Sequence, residues 1–152
     1  MRALLQRVRR GSVQVEGKSV GAIDHGLVIL LGIAKTDTRD DVRSLVEKCV
    51  NLRVFEDENS HFNRSLLEVR GGVLVVSQFT LYGDTRKGRR PGFEAAARPE
   101  TAEPLYHAFI EEFKKYPIAV AHGVFGAMML VEIHNDGPAT FLVETTARAE
   151  SN

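Results

Sequence analysis

An α+β domain in which strands outnumber helices is predicted over residues 1–152. Three observations predict it. Short strand-like runs separated by turn residues open the chain, two later segments repeat their apolar residues at helical spacing, and a pair of strand-like runs closes it. No repeat, low-complexity segment or linker divides the sequence. With 43% hydrophobic and 26% charged residues, a chain of 152 is long enough to bury a core of its own.

The run "ALLQRV" starts the sheet. "SVQVEGKSVGAI" follows, with a Gly-Lys hairpin expected at Gly17 and Lys18. After a turn at Asp24 to Gly26 comes "GLVILLGIA", whose unbroken apolar character suits a strand buried on both faces. From Thr38 the period changes. Val42, Leu45, Val46, Cys49 and Leu52 fall on one helical face, and Thr38 with Asp41 has the pattern of a capping box, so a helix is predicted to about Arg53. "FEDENSHFN" reads as a polar loop, and "GGVLVVSQFTLY" as a central strand ending near Tyr82. A second helix is predicted from Pro99 or Thr101 to Tyr116, with Ala102, Leu105, Phe109, Phe113 and Tyr116 on one face and Pro117 stopping it. Two strands around an Asp-Gly-Pro turn, in "NDGPAT" from Asn135 to Thr140, end the domain.

Twenty basic and twenty acidic side chains cancel, which excludes a protein that binds nucleic acid by total charge; any such contact must be local. Cys49 stands alone and can form no internal disulfide, so a reducing, cytoplasmic setting is expected. "MRALLQRVRR" lacks an apolar signal core, and no apolar run approaches the ~20 residues of a membrane span, so no membrane partner is expected. The five histidines, His25, His61, His107, His122 and His134, have no metal-ligand spacing, and neither a metal nor a cofactor is expected.

Four stretches could carry chemistry, each with a structural alternative. "SQFTLY", Ser77 to Tyr82, ends an apolar strand in hydrogen-bonding side chains. These either satisfy backbone groups where the strand leaves the core or line a pocket with donors that hold an oxyanion. "DTRKGRRPGF" gathers Arg86, Lys87, Arg89 and Arg90 around Gly88, as a solvated loop or as a seat for phosphates. "HGVFGAMM" offers Phe125, Met128 and Met129 to the core or to the face of a nucleobase. In "NDGPAT", Gly137 and Pro138 form a connector or something more.

In this order, "QRV" (Gln6 to Val8), "SQFTLY", "DTRKGRRPGF", "FGAMM" and "NDGPAT" resemble the D-aminoacyl-tRNA deacylase family from Met1 to about Thr145. The resemblance implies a homodimer of compact α+β subunits, each with a mixed, barrel-like sheet and two main helices. The partners would be a second copy and the 3′ end of aminoacyl-tRNA, and the reaction hydrolysis of the ester joining a D-amino acid or glycine to the terminal adenosine. Ser77, Gln78 and Thr80 match the family's Ser-Gln-x-Thr motif. Backbone amides near Phe79 and Thr80 would orient the carbonyl while the substrate's own ribose 2′-hydroxyl helps activate water, leaving Thr80 no role as nucleophile. Ala102, Phe125 and Met129 would surround the adenine. Gly137 and Pro138 match a Gly-Pro motif whose cis peptide enters the partner's pocket and excludes L side chains. Gly11 in place of an alanine and Ala139 in place of a valine depart from the family pattern and leave its polar groups intact. A tRNA-end binding module without turnover and a threonine-nucleophile esterase are the competing functions.

Overall fold

The sheet is organised around β1 (Arg2–Val15), which uses both of its edges. On one edge its first half pairs antiparallel with β3 (Gly26–Gly32) and its second half with β2 (Lys18–Ile23); along the other edge runs β8 (Leu130–Glu144). β6 (Gly72–Ser77) lies parallel to β3, and β7 (Val120–His122) parallel to β6. The order β2-β1-β3-β6-β7 brings the two end strands back against each other, so the mixed sheet nearly closes into a barrel. The computed structural model describes residues 1–145; residues 146–152, which the expected domain also takes in, lie outside the described residues.

Helices cover one face of the sheet. α1 (Arg39–Asn51) begins where the Asp41 carboxylate accepts hydrogen bonds from the Thr38 N–H at 2.7 Å and the Thr38 hydroxyl at 2.9 Å, and buries Val42, Leu45, Val46, Cys49 and Val50. α3 (Pro99–Phe113) buries Ala102, Leu105, Tyr106, Phe109, Ile110 and Phe113. Together with Leu5, Leu27, Ile29 and Val75 these make the larger core, and a smaller one of Val8, Val13, Val28, Leu74 and Val76 fills the curl of the sheet. β3 is buried along nearly all its length, as its unbroken apolar run predicts. Burial pushes the Cys49 thiol up to about 12, which leaves it an inert packing group.

Several boundaries differ from expectation for local reasons. The hairpin turns at Glu16 and Gly17, both at positive φ, and Lys18 already belongs to β2. The polar loop contains a small hairpin, β4 (Phe55–Glu56) with β5 (Phe62–Arg64). The short α2 (Leu66–Val69) was unforeseen, although "SLLE" carries its signal: Ser65 accepts from the Glu68 amide and Glu68 from the Ser65 amide. α3 ends at Phe113 rather than Tyr116.

Two differences matter for function. The strand predicted to reach Tyr82 stops at Ser77, and Phe79–Tyr82 coils into a 3₁₀ turn. Ser77 pairs with Leu31 near the end of β3, and β7 accompanies β6 only to Val75. Beyond these limits an extended chain would find no ladder, and local bonds such as that from the Gly83 amide to Thr80 O (2.9 Å) take over. The second difference is at "NDGPAT", where the chain does not reverse. Both flanks belong to β8 and pair with the same strand: Val8 faces Asn135 and Gln6 faces Thr140, so Asp136 to Ala139 bulge opposite the single residue Arg7.

Candidate functional site

A cavity of about 670 Å³ opens where the ends of β3 and β6 meet the start of α3 and the segment before β8. Ser77, Gln78 and Phe79 line one side; Ala102, Phe125 and Met129 line it as well. With Met128, seven of the residues singled out in the sequence, from three separate stretches, therefore share one space. Arg98 is the only ionisable side chain in the lining, with no Asp, Glu, His, Lys or Cys among the described residues there. Such a wall offers apolar contact and a few hydrogen-bonding groups, the usual make-up of a site for a small organic ligand, and no side chain able to act as general base at neutral pH.

The 3₁₀ turn supplies the polar rim. The Gln78 amide donates to Leu31 O at 2.8 Å, which pins the turn to the end of β3. The amides of Phe79 and Thr80 begin the turn and so have no partner within it; no acceptor for either occurs among the described residues. The Thr80 side chain is exposed, lies outside the cavity lining and accepts a hydrogen bond from Gln78 Nε2. The Phe79 ring, 58% exposed, meets Phe93 edge-on with centroids 5.0 Å apart.

Tyr106 supports the opposite wall from below. Its buried hydroxyl shares its one proton between Val75 O at 3.1 Å and Gly123 O at 3.4 Å, and its ring leans on Phe125 with centroids 5.6 Å apart. Burial raises its pKa to about 12, so the hydroxyl keeps its proton at any pH at which the protein works.

Arg86, Lys87, Arg89 and Arg90 stand on an exposed loop outside the cavity lining. Asp84 holds Arg86 through two bonds, of 2.7 and 2.8 Å, and this partner draws the carboxyl down to about 2. At neutral pH Asp84 is charged and occupies Arg86. The side chains of Lys87, Arg89 and Arg90 have no protein partner among the described residues, which leaves them available to an anion.

Gly137 and Pro138 do not line the cavity of their own chain; they project, exposed, from the β8 bulge. The peptide bond between them is cis, as the resemblance implies. The bulge is held from inside by Arg7, the middle residue of the "QRV" motif, to which the sequence alone assigns no role. Arg7, 5% exposed, donates from Nε to Asp136 O and from Nη1 to Val54 O, both at 2.9 Å. Asn135 completes the staple, accepting from the Ala139 amide and donating to Thr140 Oγ1, each at 2.8 Å. A signal for Arg7 was present: Ala3, Leu5 and Arg7 share strand parity, and the first two are fully buried.

Barrel-like sheet, apolar cavity and a donor-bearing turn without acid–base side chains make a pocket at a strand end suited to positioning a ligand rather than to side-chain acid–base chemistry. The family model described as D-Tyr-tRNA(Tyr) deacylase matches residues 4–144. The D-aminoacyl-tRNA deacylase of Chloroflexus aurantiacus is 59% identical over 145 residues, covering 95% of this chain and 91% of that protein. That of Thermus aquaticus is 55% identical over 148 residues, covering 97% of each. A solved structure titled c-Myc DNA Unwinding Element Binding Protein superposes with a TM-score of 0.91 at 44% identity, covering 97% of this chain and all of that one. This chain belongs to the D-Tyr-tRNA(Tyr) deacylase family.

Proposed function

We propose that the protein hydrolyses the ester between a D-amino acid, or glycine, and the terminal adenosine of tRNA, and that it spares L-aminoacyl-tRNA. The observation that carries this reading is the meeting of Ser77, Gln78, Phe79, Ala102, Phe125 and Met129 around one cavity in a chain of this family. The adenine lies against Phe125 and Met129, which contact a π-face without selecting a base. The ester carbonyl points at the amides of Phe79 and Thr80, which stabilise the oxyanion as water adds to the carbonyl carbon. The bond to the ribose oxygen then breaks, and that oxygen leaves with a proton. Since the lining holds no side-chain base, the substrate's own 2′-hydroxyl assists the water and the protein contributes position.

Chirality is read by backbone. The two esters differ only in where the side chain points once the amino group and carbonyl are fixed, so a rigid wall suffices. Gly137 and Pro138 supply it from a second copy, because they are exposed and do not line the cavity of their own chain. A row of leucines supports the pairing of copies: Leu4 faces Leu30 on one side and Leu142 on the other, and Leu142 is 54% exposed. A second copy of the chain is the occupant that would cover this row. Lys87, Arg89 and Arg90 meet phosphates of the acceptor end. Quality control of translation in the cytoplasm, where aminoacyl-tRNA occurs, goes with this reading.

Incubation with matched D- and L-tyrosyl-tRNA tests it: amino acid should be released from the D-ester alone, and equal release from both, or from neither, would refute it. Thr80→Ala should retain activity within about tenfold, because the exposed hydroxyl has no base to activate it. A substrate lacking the 2′-hydroxyl should be cleaved far more slowly, and an acyl group trapped on Thr80 by mass spectrometry would reverse this assignment. Neutralising Arg89 and Arg90 should flatten the dependence of log K on log salt by about 0.7 for each phosphate that is no longer neutralised. An unchanged slope would return the loop to solvent.

A further inference from the structure

Arg2 reaches the 3₁₀ turn from the far end of the chain. As the first residue of β1 it pairs with Gly32 of β3 and with Glu144 of β8, so its backbone is fixed on both edges. From there Nη1 donates to Leu81 O at 2.8 Å, Nε donates to Glu144 Oε1 at 2.5 Å, and the guanidinium carbon stands 4.5 Å from the centre of the Tyr82 ring. Glu144 thus aims the guanidinium while Leu81 O and the Tyr82 face receive it. Underneath, the turn rests directly on β3: a Cβ on Gly32 would stand 3.1 Å from Leu81 Cβ and 3.2 Å from both Gln78 O and Tyr82 Cδ2.

The turn is therefore clamped twice, at its start by the bond from the Gln78 amide to Leu31 O and at its end by Arg2. Between the clamps lie the amides of Phe79 and Thr80. Four residues of 3₁₀ helix hold themselves weakly, since their hydrogen-bond geometry is poor, and without the second clamp only the packing of Leu81 and Tyr82 on Gly32 resists a shift of the turn about Gln78. We propose that Arg2 is a positioning residue for hydrolysis: it touches no substrate, and it sets the direction in which the Phe79 and Thr80 amides face the ester. This rests on the deacylase reading of the same site.

A lysine at position 2 can bond Leu81 O but cannot hold Glu144 in the same fork or lie flat over Tyr82. Arg2→Ala should lower kcat on D-tyrosyl-tRNA by about tenfold or more while KM moves by less than about threefold, and Arg2→Lys should recover part of the loss. Hydrogen exchange reads the same clamp without substrate, because the Leu81 and Gly83 amides are closed on Gln78 O and Thr80 O. Both should exchange faster in Arg2→Ala while amides within β1 and β3 keep the parental rate. If Arg2→Ala does not fold, Arg2→Lys carries both measurements, with a smaller loss expected. An unchanged kcat with unchanged exchange in the turn would overturn the assignment, as would a loss that follows the unfolded fraction or falls on KM alone. Should the parent itself not cleave the D-ester, the deacylase reading fails, and exchange alone decides whether Arg2 fixes the turn.

Discussion

Gly137→Ala is expected to lower kcat/KM for D-tyrosyl-tRNA by about a hundredfold, ~2.7 kcal/mol at 1.36 kcal/mol per factor of ten, while leaving a folded protein. Residue 137 has φ +134, a backbone conformation that costs an alanine on the order of 1–3 kcal/mol. Space is also short: the added Cβ would lie 2.9 Å from Arg7 Nη2 and 3.1 Å from the Ala139 amide nitrogen. Side-chain ends can often retreat, but this one is buried and its guanidinium is committed to Asp136 O and Val54 O. The bulge must move instead. Because Gly137 and Pro138 are exposed, its displacement should disturb the proposed wall against the ester more than the core. Kinetics on both D- and L-esters with a thermal melt as control measure this, and parental kinetics would contradict it.

Arg7→Ala should do comparable damage by removing the support rather than crowding it, and here stability falls too. Two carbonyls lose charge-assisted donors, and a buried polar group left without a partner costs about 1–3 kcal/mol. A loss of roughly 2–5 kcal/mol in chemical denaturation is expected, along with reduced discrimination between D- and L-esters in the fraction that remains folded. Arg7→Lys should repair little, because one ammonium cannot serve Asp136 O and Val54 O in the fork geometry that the guanidinium provides. Parental stability and selectivity in Arg7→Ala would show that the bulge holds itself.

What could be read in the sequence was what is written locally. The capping pattern of Thr38 and Asp41, the helical repeat that starts at Ala102 and the unbroken apolar run of β3 each lie within one segment, and each formed, the second helix ending at Phe113, three residues short of the expected Tyr116. The β8 bulge could not be read that way. A Gly-Pro step looks like a reversal, and what keeps the chain going straight is its pairing with β1, more than a hundred residues earlier. Likewise "SQFTLY" continues a strand on composition, and only the limited reach of β3 and β7 ends it at Ser77. The candidate site was named by resemblance; the residues alone left each stretch with its structural alternative. The cavity adds that Ser77 to Phe79, Ala102, Phe125 and Met129 are neighbours, which no spacing along the chain reveals. Arg7 was legible in principle, as a charge in phase with two buried residues.

That a site is completed across two copies is the claim on which the rest depends, and mixing subunits tests it most directly. Ala102→Trp fills the cavity and keeps the bulge, whereas Gly137→Ala keeps the cavity and spoils the bulge. Each variant alone should be nearly inactive on D-tyrosyl-tRNA. After joint denaturation and refolding in equal amounts, half of the dimers are mixed and each of these carries one complete site, so roughly a quarter of the parental activity should return, still without L-ester hydrolysis. Activity that stays at the level of the separate variants would place cavity and bulge in service of the same chain and contradict the account.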